Sequence, residues 1–205
     1  MIRRTIAPLF LVAALVATPV AAQAEIAPEQ AKQFISTVAE RGINNILAAD
    51  VPVQERTQRF RDMFIDTFDV DSTARFVLGR HSRGADAGEL EEFKTLFREY
   101  NILIWAQRFG DYKGQSLQVT GTQPDGDKGI FVESQVVDSG GSQPIDIVWR
   151  LRESKGEPQV VDIVVEGVSM ALTYRSEYDS IVGRSGLSGL NQLLREKVQQ
   201  MQAAR

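Results

Sequence analysis

Val160-Val161-Asp162-Ile163-Val164-Val165-Glu166-Gly167-Val168-Ser169-Met170-Ala171-Leu172-Thr173-Tyr174-Arg175 reads as a strand that runs through a glycine into a helix. β-Branched residues fill the first half and favour a pleated strand. Val161, Ile163 and Val165 alternate with Asp162 and Glu166, which places the valines and isoleucine on one face. Gly167 admits a sharp backbone turn because it has no Cβ to clash. Beyond it, Met170, Tyr174, Tyr178 and Ile181 recur at helical steps and share one face. A strand period and a helix period therefore meet within this one stretch.

Upstream, the strand period continues. Gly114 to Gly121, Lys128 to Asp138, Pro144 to Arg152 and Pro158 to Glu166 read as four strands. Pro124-Asp125-Gly126-Asp127, Ser139-Gly140-Gly141-Ser142 and Ser154-Lys155-Gly156-Glu157 are the turns between them. Turns this short predict antiparallel neighbours. Ile145, Ile147, Trp149 and Leu151 alternate with Asp146 and Arg150. In the second strand Ile130, Val132 and Val136 are expected inside, with Phe131, Glu133, Gln135 and Val137 outside.

The first half carries a helical period instead. Pro28 opens a stripe of Ala31, Phe34, Ile35, Val38, Ile46 and Leu47. Pro52 opens a second, with Val53, Phe60, Phe64 and Phe68. Asp71-Ser72 is the expected cap of a short helix ending near Leu78-Gly79. A polar loop, Arg80-His81-Ser82-Arg83-Gly84, precedes the longest amphipathic segment, Asp86 to Phe109, striped by Leu90, Phe93, Phe97, Tyr100 and Ile104. Two last helices are expected around 168–183 and 187–202, separated by Gly183, Gly186 and Gly189. Helices followed by a meander give an α+β class: a curved antiparallel four-stranded sheet with helices packed over its concave face.

Composition bounds the function. Met1-Ile2-Arg3-Arg4, the apolar run Ala7 to Ala22 and Ala22-Gln23-Ala24 form a secretory signal peptide over residues 1–24, leaving one domain over 25–205. The alternative is a retained N-terminal anchor helix, although the run is short against the roughly 20 residues a bilayer span needs. No cysteine follows for a lipid anchor, and the chain has none for disulfides or thiolate metal sites. The whole chain carries −4; without Arg3 and Arg4, 21 basic residues face 27 acidic ones, or −6. That balance argues against nucleic acid as a partner and against tight adhesion to anionic membranes.

Asp162, Gly167, Val168, Ser169, Tyr174 and Arg175 resemble the near-C-terminal signature of the MlaC / toluene-tolerance family, in which a strand ending Asp-Val-x-x-x-Gly-Val-Ser leads into a helix carrying Tyr-Arg. Phe68-Asp69, Phe76-Val77-Leu78-Gly79-Arg80, the aromatic helix Phe93 to Tyr100 and Gly186 to Leu194 extend the likeness over nearly the whole mature chain. Where the family often places Trp or Tyr, this chain has His81. The resemblance implies an NTF2-like cone with added helices enclosing an apolar cavity. It implies a periplasmic phospholipid carrier that works between an outer-membrane lipoprotein complex and an inner-membrane ABC transporter complex. It implies no enzyme activity and no cofactor, and a monomer is expected. The stripe Phe93, Phe97, Tyr100 and Ile104 is by its spacing core, and by the resemblance a cavity wall. Phe76, Leu78, Val132, Ile147, Trp149, Val165, Tyr174 and Tyr178 are the further candidates for that wall. Whether the space is filled or hollow stays open at this point.

Other motifs weigh less. Gly167-Val168-Ser169-Met170-Ala171 nearly matches a nucleophile elbow, but the only histidine, His81, precedes Ser169, and the sheet reads as antiparallel. Ser169 is better taken as a helix cap. Arg80, His81 and Arg83 are a solvated loop or a contact for a partner or lipid headgroup, since arginine suits phosphate geometry. Asp66, Asp69 and Asp71 lack the spacing and glycine of a calcium loop, and the three C-terminal glycines lack the Lys-Ser/Thr of a phosphate loop. No catalytic or metal site is expected. Two other readings stand beside the phospholipid carrier: a carrier of hopanoid or another isoprenoid, and an NTF2-like isomerase using a cavity carboxylate as base.

Overall fold

The computed structural model describes residues 26–47, 50–108, 112–126, 129–138, 140–141 and 143–204. The expected signal peptide, the expected helix end at Phe109 and the turn residues Asp127, Lys128, Ser139 and Ser142 lie outside them.

The helices come first. α1 (Pro28–Gly42) starts on a proline suited to the first helical turn and runs on through a π-helical turn, Ile43–Leu47. α2 (Val53–Thr67) and α3 (Val70–Leu78) meet at Phe68-Asp69. Asp69, not Asp71-Ser72, caps α3: its carboxylate accepts from the Ser72 N–H at 3.0 Å. Asp71 sits inside the first helical turn instead, where its charge complements the helix dipole. The expected polar loop begins as a 3-10 turn, Gly79–Ser82. α4 (Ala87–Gln107) is capped by Asp86, which accepts from Gly88 and Glu89.

The sheet is an antiparallel meander in sequential order: β1 (Ser116–Pro124), β2 (Gly129–Val137), β3 (Ile145–Ser154), β4 (Glu157–Val165) and the two-residue β5 (Val168–Ser169). β5 is one strand more than the alternation predicts. It exists because Glu166 (φ 49°) and Gly167 (φ 78°) both take the left-handed conformation and reverse the chain in a two-residue hairpin. Lys155 and Gly156 do the same between β3 and β4. α5 (Met170–Ala203) follows, broken at Gly186 alone (φ 71°, ψ 176°); Gly183 and Gly189 lie within helix.

Across the sheet, Ile130 faces Leu151 and Leu151 faces Val160, while Val132 faces Trp149 and Trp149 faces Ile163. This row packs against Ile26, Ala31 and Ile35 of the α1 segment. Bulges between Val119 and Gly121 and opposite Arg150/Leu151 interrupt the ladder and bend the strands. The second bulge overturns the expected alternation in β4: Val160 joins the sheet core, and Val161 falls out of step. The expected inward set in β2 also changes. Ser134 is buried, while Val136 is only half-buried.

A second core is purely helical. Ala74, Val77 and Leu78 from α3, Phe93 and Phe97 from α4, and Ala171, Tyr178, Leu187, Leu190 and Leu194 from α5 close on one another. The α2–α3 junction is pinned to the free edge of β4. Asp69 N–H donates to the Val160 carbonyl at 3.0 Å, and Thr73 Oγ1 to the Val161 carbonyl at 3.1 Å. These bonds occupy edge groups that would otherwise be open to pairing.

Candidate functional site: an apolar cavity between the two cores

The two cores do not close completely. Between them lies a cavity of about 230 Å³. Phe64 and Phe68 come from the α2 end, Val70 and Thr73 from α3, and Phe97, Asn101, Ile104, Trp105 and Arg108 from the α4 side. Val161, Asp162 and Ile163 line it from β4, and Met170, Ala171 and Tyr174 from the start of α5. Three consecutive β4 residues can do so because the bulge breaks the two-residue alternation there. Alternation alone puts Asp162 on the opposite face from Val161 and Ile163, so no carboxylate is expected in the cavity. The structure corrects this.

Asp162, Asn101 and Thr73, three polar side chains of the wall, are held by local hydrogen bonds. Asp162 takes the Ser169 hydroxyl on Oδ2 at 2.5 Å and the Ala171 N–H on Oδ1 at 2.9 Å. Ser169 Oγ in turn accepts from the Leu172 N–H at 3.0 Å, so Ser169 is the N-cap of α5, as its position predicts. Asn101 Nδ2 donates to the Phe97 carbonyl at 2.8 Å, one turn back. Tyr174 is pushed up to about 12, chiefly by burial, with Tyr100 and Glu177 adding to it. With Asp162, Asn101 and Thr73 bonded to neighbouring backbone or side chains, the aromatic and aliphatic side chains make most of the surface a guest would meet, which suits an apolar guest.

Of the residues named from the sequence, Phe97, Ile104 and Tyr174 line this cavity. Leu78, Phe93 and Tyr178 instead fill the helical core. Val132, Ile147, Trp149 and Val165 belong to the sheet core, where Trp149 Nε1 donates to Ser134 Oγ at 2.9 Å. Tyr100 packs at the rim of the helical core under Lys197, whose Nζ stands 5.2 Å from the ring centre. Phe76 is 37% exposed, with the Arg175 guanidinium over its ring at 4.9 Å. Phe64, Phe68, Asn101, Trp105 and Met170 were not singled out from the sequence as cavity wall. Phe97, Asn101 and Trp105 recur at steps of four, a second stripe on α4 that could have been read.

Arg80, His81 and Arg83 stand apart from the cavity. Arg80 pairs with Asp179 of α5 at 3.2 Å and His81 Nε2 meets the same carboxylate at 2.8 Å, while Arg83 is exposed. Their neighbour Gly79 (φ 55°) comes so close to the Arg175 guanidinium that a Cβ there would sit 3.0 Å from it. Among the described residues no group of three or more His, Cys, Asp or Glu side chains is placed to hold a metal ion. Nor is any helix among them long and apolar enough to cross a membrane.

An open groove of about 380 Å³ adjoins the cavity, with Leu47, Phe60, Val136 and Ile145 as its apolar surface and Tyr112, Gln115, Asp138 and Gln143 around them. Cavity and groove share Trp105 and Arg108, whose guanidinium lies 5.8 Å from the Trp105 ring centre.

A sequence model of the MlaC protein family matches residues 43–196. The intermembrane phospholipid transport system binding protein MlaC of Haemophilus influenzae is 28% identical over 117 residues, which are 56% of this chain and 55% of that protein. The match thus spans about half the length of that relative. In fold, the chain is similar to a phospholipid-binding protein from Ralstonia solanacearum solved in complex with a phospholipid. The TM-score is 0.75 at 20% identity, covering 84% of this chain and 98% of the other.

Proposed function

The chain belongs to the MlaC family, and we propose that it is a periplasmic carrier that holds the acyl chains of a phospholipid in the cavity between its two cores. The observation that carries this reading is the cavity itself: mostly apolar, flanked by aromatic rings from α2 and α4, with Asn101 and Asp162 bonded within the wall. The energetics give such a cavity its use. Each methylene moved out of water is worth about 0.8 kcal/mol, so a chain of about 15 methylenes costs on the order of 12 kcal/mol to expose. A lipid does not cross an aqueous compartment at that cost without a container. The carrier would shuttle its cargo between an outer-membrane lipoprotein complex and an inner-membrane ABC transporter complex, and no reaction is involved.

The isomerase alternative needs a cavity carboxylate free to act as base. Asp162 lines the cavity, but both its oxygens take hydrogen bonds that build the start of α5, which is a structural duty. The isoprenoid alternative differs from the main reading in cargo alone, and the same experiment separates them. Protein purified without detergent is examined by native mass spectrometry and by lipid analysis of its organic extract. A bound species with the mass of a phospholipid is expected. An isoprenoid mass redirects the cargo, and protein that carries nothing and takes nothing from phospholipid vesicles contradicts the carrier reading.

A further inference from the structure

We propose that Trp105 sets how much apolar chain this protein accepts, its indole acting as a movable partition between the cavity and the adjoining groove. The inference rests on the carrier reading and concerns where the cargo ends within the protein.

Among the described residues the two spaces have only Trp105 and Arg108 in common. The cavity alone, about 230 Å³, falls short of the roughly 300–1,000 Å³ of typical small-molecule sites; joined to the groove it lies within that range. The groove continues the chemistry of the cavity, for Leu47, Phe60, Val136 and Ile145 give it an apolar surface. Ile145 is 45% exposed, so a chain lying along the groove would remove a large aliphatic side chain from water.

The two tryptophans differ in how they are held. Trp149 is tied to the sheet by its bond to Ser134. Among the described residues Trp105 makes no corresponding hydrogen bond; its ring is met by the Arg108 guanidinium on one helical turn of the same helix end. Moving the indole aside breaks no network, and Arg108 sits outside on the surface, able to follow it.

The test uses the full protein, stripped of lipid, with dilauroyl, dipalmitoyl and distearoyl phosphatidylethanolamine competing for it in native mass spectrometry. Trp105→Ala opens the partition. The preference for the longer lipids over the dilauroyl one is expected to rise by about fourfold for each methylene that gains the groove, at about 0.8 kcal/mol each. Trp105→Leu, which keeps the core apolar, should move the preference the same way by less. A chain-length preference equal to that of the parent in both folded variants overturns the inference while leaving the carrier reading intact. Binding of no phospholipid by the parent overturns both. Trp149→Phe supplies a readout that does not depend on weakening the partition, because it leaves Trp105 as the sole tryptophan. A lipid brominated along its acyl chain should quench the Trp105 emission, and unquenched emission in the loaded protein overturns the inference.

Discussion

The two halves of α4 belong to one continuous helix and do opposite things. In the first half, Phe93 and Phe97 lie 5.7 Å apart and meet the rings of Tyr174 and Tyr178 at 5.7–6.3 Å; Phe93 and Tyr178 are buried in this cluster, and only its Phe97 and Tyr174 side borders the cavity. In the second half, Asn101, Ile104, Trp105 and Arg108 stand around a cavity. The difference lies in what stands opposite. The first half meets a helix, α5, which offers large rings at steps of four. The second half meets the edge of β4 and the α2–α3 junction, where the bulge and the bonds from the Asp69 N–H and the Thr73 hydroxyl to β4 carbonyls hold the elements at a fixed distance. Tethered backbone cannot collapse inward to fill the gap, so the gap persists.

This contrast predicts a graded set of mutational effects. Phe93→Ala strikes the solid half. It should destabilise the protein by about 3–5 kcal/mol, read from the urea midpoint, with lipid binding lost only as the fold is lost. A loss much below that range would mean the aromatic cluster is not close-packed. Ile104→Asp strikes the hollow half. An unpaired carboxylate beside acyl chains costs roughly 1–3 kcal/mol or more, so lipid retention should fall by about fivefold at least while circular dichroism stays that of the parent. Unchanged retention in a folded variant would place the acyl chains elsewhere.

Tyr174 borders both halves and titrates accordingly. Its pKa is raised to about 12 from 10, so the folded protein keeps a proton that the unfolded chain releases. The stabilisation is therefore complete below pH 10 and is lost as the pH rises from 10 to about 12. Across that window the parent should lose stability more steeply than Tyr174→Phe, and parallel pH profiles would contradict it. The smallest effect is expected at Tyr178. Burial pushes its phenol up as well, and its hydroxyl is buried without a hydrogen-bond partner among the described residues. Tyr178→Phe removes an unsatisfied group at constant shape, so stability should hold or rise by about 1 kcal/mol. A clear loss would reveal a partner for that hydroxyl.

Much of the fold was legible because periodicity is a direct imprint of packing. The switch from helical stripes to alternating strands, the antiparallel turns and the helix that follows Gly167 all appear where the pattern puts them. What the pattern missed are features that break a period. The β4 bulge admits one extra residue and so moves Asp162 into the cavity wall, which strict alternation cannot express. The cap at Asp69 was hidden because Asp69, Asp71 and Ser72 are all good capping residues and only the backbone path selects among them. The wall of the candidate cavity was legible in part for a related reason. Phe97, Ile104 and Tyr174 were named because they sit on helical stripes, yet so do Phe93 and Tyr178, which are solid core. A stripe says that a face is buried; it does not say whether the partner face reaches it. Trp105 adjoins Ile104 and lies off the dominant stripe, on a second one interrupted by the polar Asn101, so periodicity alone gives it no weight.

On the carrier reading, acyl chains occupy the hollow half of α4 and not the solid one. Phospholipid bearing a photoreactive diazirine near the end of one acyl chain can be loaded, irradiated, and mapped by peptide mass spectrometry. Adducts are expected at the end of α2 around Phe64 and Phe68 and on the α4 side from Asn101 to Arg108. Adducts confined to the Arg80–Gly84 loop or to the exposed side chains of Phe76 and Leu172, with none on those segments, would contradict it.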